Sequence, residues 1–160
     1  MIILGIDPGY DRFGVAVVGK IGGKEKLLYS DCVVTNRKDD LGKRLFEISG
    51  SLQKIIDEYR PDKIAIERIF FSKNVKTAGA VAEARGVVLA KASENNTPVV
   101  EYTPGEIKVA ITSYGKSDKK QVAFMLGKLL PIKKLIKYDD EYDAIAVALT
   151  CLYSDKDAGR

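Results

Sequence analysis

Apolar and polar positions alternate along the chain in runs whose period changes. Ile2 to Ile6 are all apolar or Gly, three of them isoleucine, the pattern of a strand buried on both faces. The run ends in Asp7-Pro8-Gly9. Pro8 has no N–H to continue a ladder, and Gly9 permits a tight turn. A carboxylate therefore stands where a buried strand breaks the surface; a turn aspartate bonding its own backbone is the plain alternative. Arg12 to Gly19 carries a second apolar strand. Gly22-Gly23 is a hairpin signal, and Lys26 to Thr35 reads as a third strand, so the first three form an antiparallel meander.

After the polar stretch 36–40, Leu41, Leu45, Ile48, Leu52, Ile55, Ile56 and Tyr59 recur at helical spacing, with Asp39 or Asp40 as cap. Arg60-Pro61-Asp62 stops that helix. Lys63 to Glu67 is a short buried strand that also ends in an acid. A strand, helix, strand crossover makes it parallel to a neighbour. Beside the first strand, it would bring Asp7 and Glu67 out together, at the edge where open α/β sheets bind ligands.

Phe70 and Phe71 fall in an expected loop, and Thr77 to Asn95, rich in Ala and Gly, reads as a helix. Val99 to Tyr102 is a fifth strand. Thr103-Pro104-Gly105-Glu106 matches a capping box and opens a helix to about Ser113. A turn over 115–118 precedes a helix over 119–130, and 131–138 is a basic connector. Asp139 to Asp143 open a last apolar helix, Ala144 to Tyr153. The expected domain is 1–153, with 154–160 a loose tail.

Composition narrows the chemistry. The 160 residues suffice for one domain with a real core, and no apolar run approaches a membrane span. No basic segment precedes an apolar one at the N-terminus, so no signal peptide is expected. Cys32 and Cys151 are isolated, which suits buried thiols in a reducing cytoplasm. There is no His, so proton transfer falls to carboxylates, lysines or metal-bound water. The net charge of +4 is unevenly placed. From Gly105 to Lys137, eight lysines face only Glu106 and Asp118, a local excess of six positive charges. That excess suits a polyanion or a solvated surface.

Four acids crowd the first turn of the last helix. Helix N-termini favour one or two, but Asp143 begins the apolar run and should face inward with it. Asp140 and Asp139, three and four residues away, share its face equally well. Carboxylates without His or Cys make a hard, oxygen-rich site for Mg²⁺ or Mn²⁺. Two such ions, roughly 3.5–4 Å apart, would serve in-line displacement at phosphorus.

Gly5-Ile6-Asp7-Pro8-Gly9, Ala65-Ile66-Glu67, Ala84-Arg85-Gly86 and Asp140-Glu141-Tyr142-Asp143-Ala144 together resemble the RuvC family of bacterial Holliday junction resolvases. The similarity runs from about Ile2 to Tyr153 with motif order intact. The resemblance implies an α/β RNase H-like fold, a five-stranded mixed sheet flanked by helices. It implies a homodimer that nicks four-way DNA junctions in pairs, leaving 5'-phosphate and 3'-hydroxyl ends, with a branch-migration motor complex as partner. It carries the catalytic, metal-holding acids onto Asp7, Glu67, Asp140 and Asp143, choosing Asp140 over Asp139. It carries a junction-contacting aromatic onto Phe70. The functional lysines fall on Lys108 and Lys119, with Lys120 a near-equal candidate by charge. Many relatives have Ser after Asp-Pro-Gly, where this chain has Tyr10.

Three rival readings are weaker. YqgF-type RNA-maturation relatives share the fold, but the Phe70 loop and the Lys108 to Lys120 segment argue against them. Actin-like ATPases need two lobes. A non-catalytic junction-binding protein would keep four acids that repel DNA.

Overall fold

The structure is a computed structural model that describes residues 1–68 and 75–157. Phe70, Phe71 and the last three tail residues lie outside the described residues. Strands β1 (Ile2–Asp7), β2 (Arg12–Ile21) and β3 (Lys24–Val34) form the expected meander, joined at Gly22 and Gly23 with φ of 60° and 80°. Two successive left-handed residues match the twist of the flanking strands.

Helix α1 (Leu41–Tyr59) starts at Asp40, whose side chain accepts from the Lys43 N–H at 3.0 Å. Of the two candidate caps, Asp40 is the one used. Arg60, in the left-handed region at φ 45°, closes it by donating to the Ile56 carbonyl at 2.8 Å. Strand β4 (Lys63–Glu67) then runs parallel to β1, and after α2 (Val75–Glu94), β5 (Val99–Tyr102) runs parallel to β4. The sheet order is β3-β2-β1-β4-β5.

Side-chain alternation splits the core in two. Leu4, Ile6, Phe13, Val15, Val17, Ile64 and Ile66 pack under α1 and α2. Ile3, Ala16, Val18 and Ala65 pack under α3 (Pro104–Thr112), α4 (Lys119–Leu129) and α5 (Asp139–Asp157). The same parity fixes the functional edge: Asp7 and Glu67, in step with Ile3 and Ala65, lie on the α5 face.

Helix α5 is buried nearly all round, Ala144 to Leu149 being at most 1% exposed. It reaches the sheet closely because glycines lie beneath it. A Cβ on Gly5 would stand 2.2 Å from the Ala144 carbonyl oxygen, and one on Gly14 would stand 2.0 Å from that of Asp140.

The chain after Tyr153 departs from the expected loose tail. Helix α5 continues to Asp157. Lys63 Nζ donates to Asp155 Oδ1 at 2.8 Å and so ties that last turn to β4.

Candidate active site at the edge of the sheet

Asp7 and Glu67 end adjacent parallel strands in the register Ile6 to Ile66. The first turn of α5 descends on them and brings Asp140 and Asp143. Burial pushes the Asp7 carboxyl well above its usual range, and Glu67, Asp143 and Asp140 push it further. Burial, then Asp143, raises Glu67 to about 6, with Lys119 and Lys108 opposing. Burial raises Asp143 too, against the pull of Lys119. The spacing of the α5 acids left Asp139 and Asp140 open. Asp140, not Asp139, is among the charges bearing on Asp7, and the Asp139 side chain is 72% exposed.

The first acids of α5 point in three directions, to Lys119 of α4, Arg12 of β2 and Lys134 of the connector. Asp139 and Asp143 meet Lys119 Nζ at 3.7 and 3.0 Å. Asp140 Oδ2 lies 3.0 Å from Arg12 Nε. Glu141, buried, pairs at 2.6 Å with Lys134, whose ammonium also donates to the Ser30 carbonyl of β3. Glu141 is thus a structural acid turned away from the cluster.

The lysines are held by capped helices. Thr103 N–H donates to Glu106 Oε2 at 2.7 Å while Glu106 N–H donates to Thr103 Oγ1 at 3.2 Å, the expected capping box. Lys108 follows one turn on. A second box, not anticipated, joins Asp118 and Gln121 and places Lys119 as the first residue of α4. A cation at a helix N-terminus opposes the dipole; Asp143 and Asp139 offset that cost. Lys108 and Lys119 line a cleft of about 270 Å³ with Glu67, Pro104, Ile107, Val122, Asp143 and Ala146. Lys120 instead lines a neighbouring groove with Asp139 and Tyr142.

Behind Asp7, the turn is braced by residues the apolar periodicity gives no sign of. Arg44 of α1 is only 7% exposed. Its Nη2 donates to the Tyr10 carbonyl at 2.9 Å, its Nε to Thr35 Oγ1 at 2.9 Å, and its guanidinium pairs with Asp11. The guanidinium also lies 4.8 Å from the centre of the Tyr10 ring, so the tyrosine is accommodated as a cation–π partner. Arg12 was missed as well. Its signal was the hairpin register, which pairs Asp7 with Gly14 and so sets the start of β2 beside the acids.

The donor set suits a hard divalent cation. Neighbouring acids add to the raising of Asp7, Glu67 and Asp143, and Asp140 Oδ2 is buried with no hydrogen-bond partner, Arg12 meeting it only as a charge. Among the described residues, no three such side chains converge into a ready-made metal cage; Lys119 supplies the nearest positive charge to Asp143.

The comparisons with known proteins bear on this geometry. A family model for crossover junction endodeoxyribonuclease RuvC matches residues 3–151. The chain belongs to the RuvC family. RuvC of Petrotoga mobilis is 45% identical over 148 residues, covering 92% of this chain and 91% of that protein. RuvC of Syntrophomonas wolfei is 40% identical over 154 residues, covering 96% and 90%. The structure of T. thermophilus RuvC in complex with Holliday junction substrate superposes with a TM-score of 0.91 at 31% identity, covering 99% of this chain and 96% of that one. The yeast mitochondrial resolvase Ydc2, 16% identical with a TM-score of 0.66, shares the fold. The mixed sheet and its flanking helices are the RNase H-like fold of RuvC, and RuvC nucleases are metal-dependent.

The raised acids have a consequence for the metal-free protein. Glu67 holds its proton more tightly folded, at about 6, than at the usual 4.5. Its contribution to stability is therefore full below about 4.5 and is lost as pH rises through about 6. Glu67→Gln removes that loss, worth at most about 2 kcal/mol. The expected outcome is a metal-free variant that melts above the wild type at pH 7.5, with the gap closing by pH 5, read by thermal melts in chelator. A variant melting below wild type at pH 7.5 would contradict the burial and repulsion that raise Glu67.

Proposed function

We propose that this chain resolves four-way DNA junctions, cutting two strands of like polarity by hydrolysis of a phosphodiester. The observation that carries the reading is the meeting of Asp7, Glu67, Asp140 and Asp143 beside Lys108 and Lys119, in a chain of the RuvC family.

The four acids would hold Mg²⁺, two ions per site, with Mn²⁺ able to substitute. Bound there, the ions would supply Lewis acidity toward the attacking water and the leaving oxygen. Water adds to phosphorus as the bond to the 3'-oxygen breaks, leaving a 5'-phosphate and a 3'-hydroxyl. The rest falls to the chain. Lys108 and Lys119 neutralise backbone phosphate without reading sequence. Phe70 stacks on an unpaired base at the crossover. Arg44 and Arg12 keep Asp7 and Asp140 in place.

One acid cluster makes one cut, so the paired nicks call for a homodimer, whose two-fold axis suits the near two-fold junction. The enzyme would act in the bacterial cytoplasm with a branch-migration motor complex. Among the described residues no helix is long and apolar enough to cross a membrane.

Three measurements test this reading. Four-way junctions are cut in preference to linear duplex and to precursor RNA; preferential RNA cleavage would favour the RNA-maturation alternative. Sedimentation shows a dimer where junctions are cut; monomer alone would contradict the paired nicks. Lys108→Ala and Lys119→Ala each lower the salt slope of junction binding by about one. Both also slow single-turnover cleavage of saturated junctions, because they stabilise charge at the scissile phosphate. An unchanged rate on bound junctions would leave them as positioning residues only.

A further inference from the structure

The connector 131–138 is not used by the site as described, yet it is built. Its residues alternate. Ile132 and Ile136 pack against the α5 core, and Tyr138 is half-buried. Lys133, Leu135 and Lys137 face outward, Leu135 being 96% exposed. Lys134 anchors the middle through Glu141 and the Ser30 carbonyl. The end is anchored by Tyr138, whose ring centre lies 5.6 Å from the Arg12 guanidinium and 4.9 Å from Lys137 Nζ. The segment runs beside edge strand β3, with a groove of about 660 Å³ between them, and delivers the chain to Asp139 and Asp140.

Three features point to an anionic partner that is also in reach of the acids. The connector carries lysines and no acid. Lys133 makes no ion pair among the described residues, and Lys137 is held only against the Tyr138 ring. The acids that follow the connector, Asp139, Asp140 and Glu141, are already matched by Lys119, Arg12 and Lys134. In the sheet order, this surface lies on the β3 side of Asp7. Lys108 bears on Glu67 from the β4 side. The Lys137 and Tyr138 end of the connector meets Arg12, the partner of Asp140, so cations stand on both sides of the acid cluster, with Lys133 further along β3.

We propose that the connector is a second DNA-contacting surface. Lys133 and Lys137 each take a backbone phosphate of the strand that has crossed the acids, and Leu135 lies against its sugars and bases. The proposal rests on the junction-cleaving reading above. An exposed apolar side chain between outward lysines suits a nucleic-acid strand, which offers charge and apolar edges at short repeat.

The test is junction binding across salt, together with single-turnover cleavage at saturation. The variants are Lys133→Ala with Lys137→Ala, the matching double Glu variant, Leu135→Ala, and Lys54→Ala on the opposite face as control. The double Ala variant should bind roughly tenfold more weakly near 0.1 M salt, with a slope lower by about two, and the double Glu variant more weakly still. Leu135→Ala should weaken binding with the slope unchanged. Rates on saturated junctions should match wild type, and so should Lys54→Ala in every respect. Wild-type affinity and slope in both double variants would overturn the proposal, and so would a slowed chemical step with binding intact. Either result leaves the junction-cleaving reading standing, because that reading is tested on the wild type, by whether it cuts junctions in preference to duplex.

Discussion

Asp7→Asn should bind a four-way junction and fail to cut it. Asp7 is raised by burial and by each of the other three acids. It is the place where negative charge is most concentrated and a cation most needed. Asn keeps the shape and removes the charge, so cleavage should fall by at least about 10²–10³. Junction affinity in chelator should hold or improve, because DNA is held by lysines and repelled by carboxylates. Glu67→Gln, Asp140→Asn and Asp143→Asn should behave alike. Asp139→Asn is the internal control: exposed and paired only with Lys119, it should stay active. A dead Asp139→Asn beside an active Asp140→Asn would shift the acid register by one. Near wild-type cleavage by any of the four would remove that residue from the site.

Gly14→Ala should damage the same site from behind. The added Cβ would stand 2.0 Å from the Asp140 carbonyl oxygen and 2.6 Å from its carbon. Both are backbone atoms with no rotamer to yield, so α5 and β2 must separate by over an ångström. Overpacking of this kind costs about 1–3 kcal/mol. The helix end that moves carries Asp140, and a misplacement of about 1 Å can cost roughly 10² in rate. A lower melting temperature should therefore come with a slower chemical step on saturated junctions well below the melt. Gly127→Ala is the contrast. Nothing lies within 4 Å of its Cβ position on the exposed face of α4, and Ala is the better helix former, so stability should hold or rise. If Gly14→Ala cuts like wild type, the close seat of α5 on β2 does not set the position of Asp140.

The elements were legible in the sequence because each carries a local signal. The unbroken apolar run of β1, the helical recurrence from Leu41 to Tyr59, and the Thr103 to Glu106 box all depend on neighbours in the chain. The crossover makes β4 parallel to a neighbour, and the sheet order β3-β2-β1-β4-β5 makes that neighbour β1, the condition on which Asp7 and Glu67 emerge together. What escaped was tertiary. Asp139 and Asp140 share spacing with Asp143, and only the direction from which α5 meets the sheet separates them. Arg44 lies on the buried face of α1, one turn before Ile48, but its charge gives no sign of burial, which comes from Tyr10, Asp11 and Thr35 gathering around it. Ser154 to Asp157 look like a tail until Lys63 is placed opposite Asp155. In each case the deciding partner lies far off in sequence.

The most direct measurement is cleavage of a synthetic four-way junction by the purified chain, with each strand end-labelled in turn. It is run in Mg²⁺, in chelator, and with Asp7→Asn, beside the linear duplex of the same sequence. Symmetric paired nicks on two strands of like polarity, in Mg²⁺ only, with the duplex intact and Asp7→Asn inert, are the predicted result. An uncut junction that is nonetheless bound, equal cutting of the duplex, or cleavage that survives chelator would contradict it.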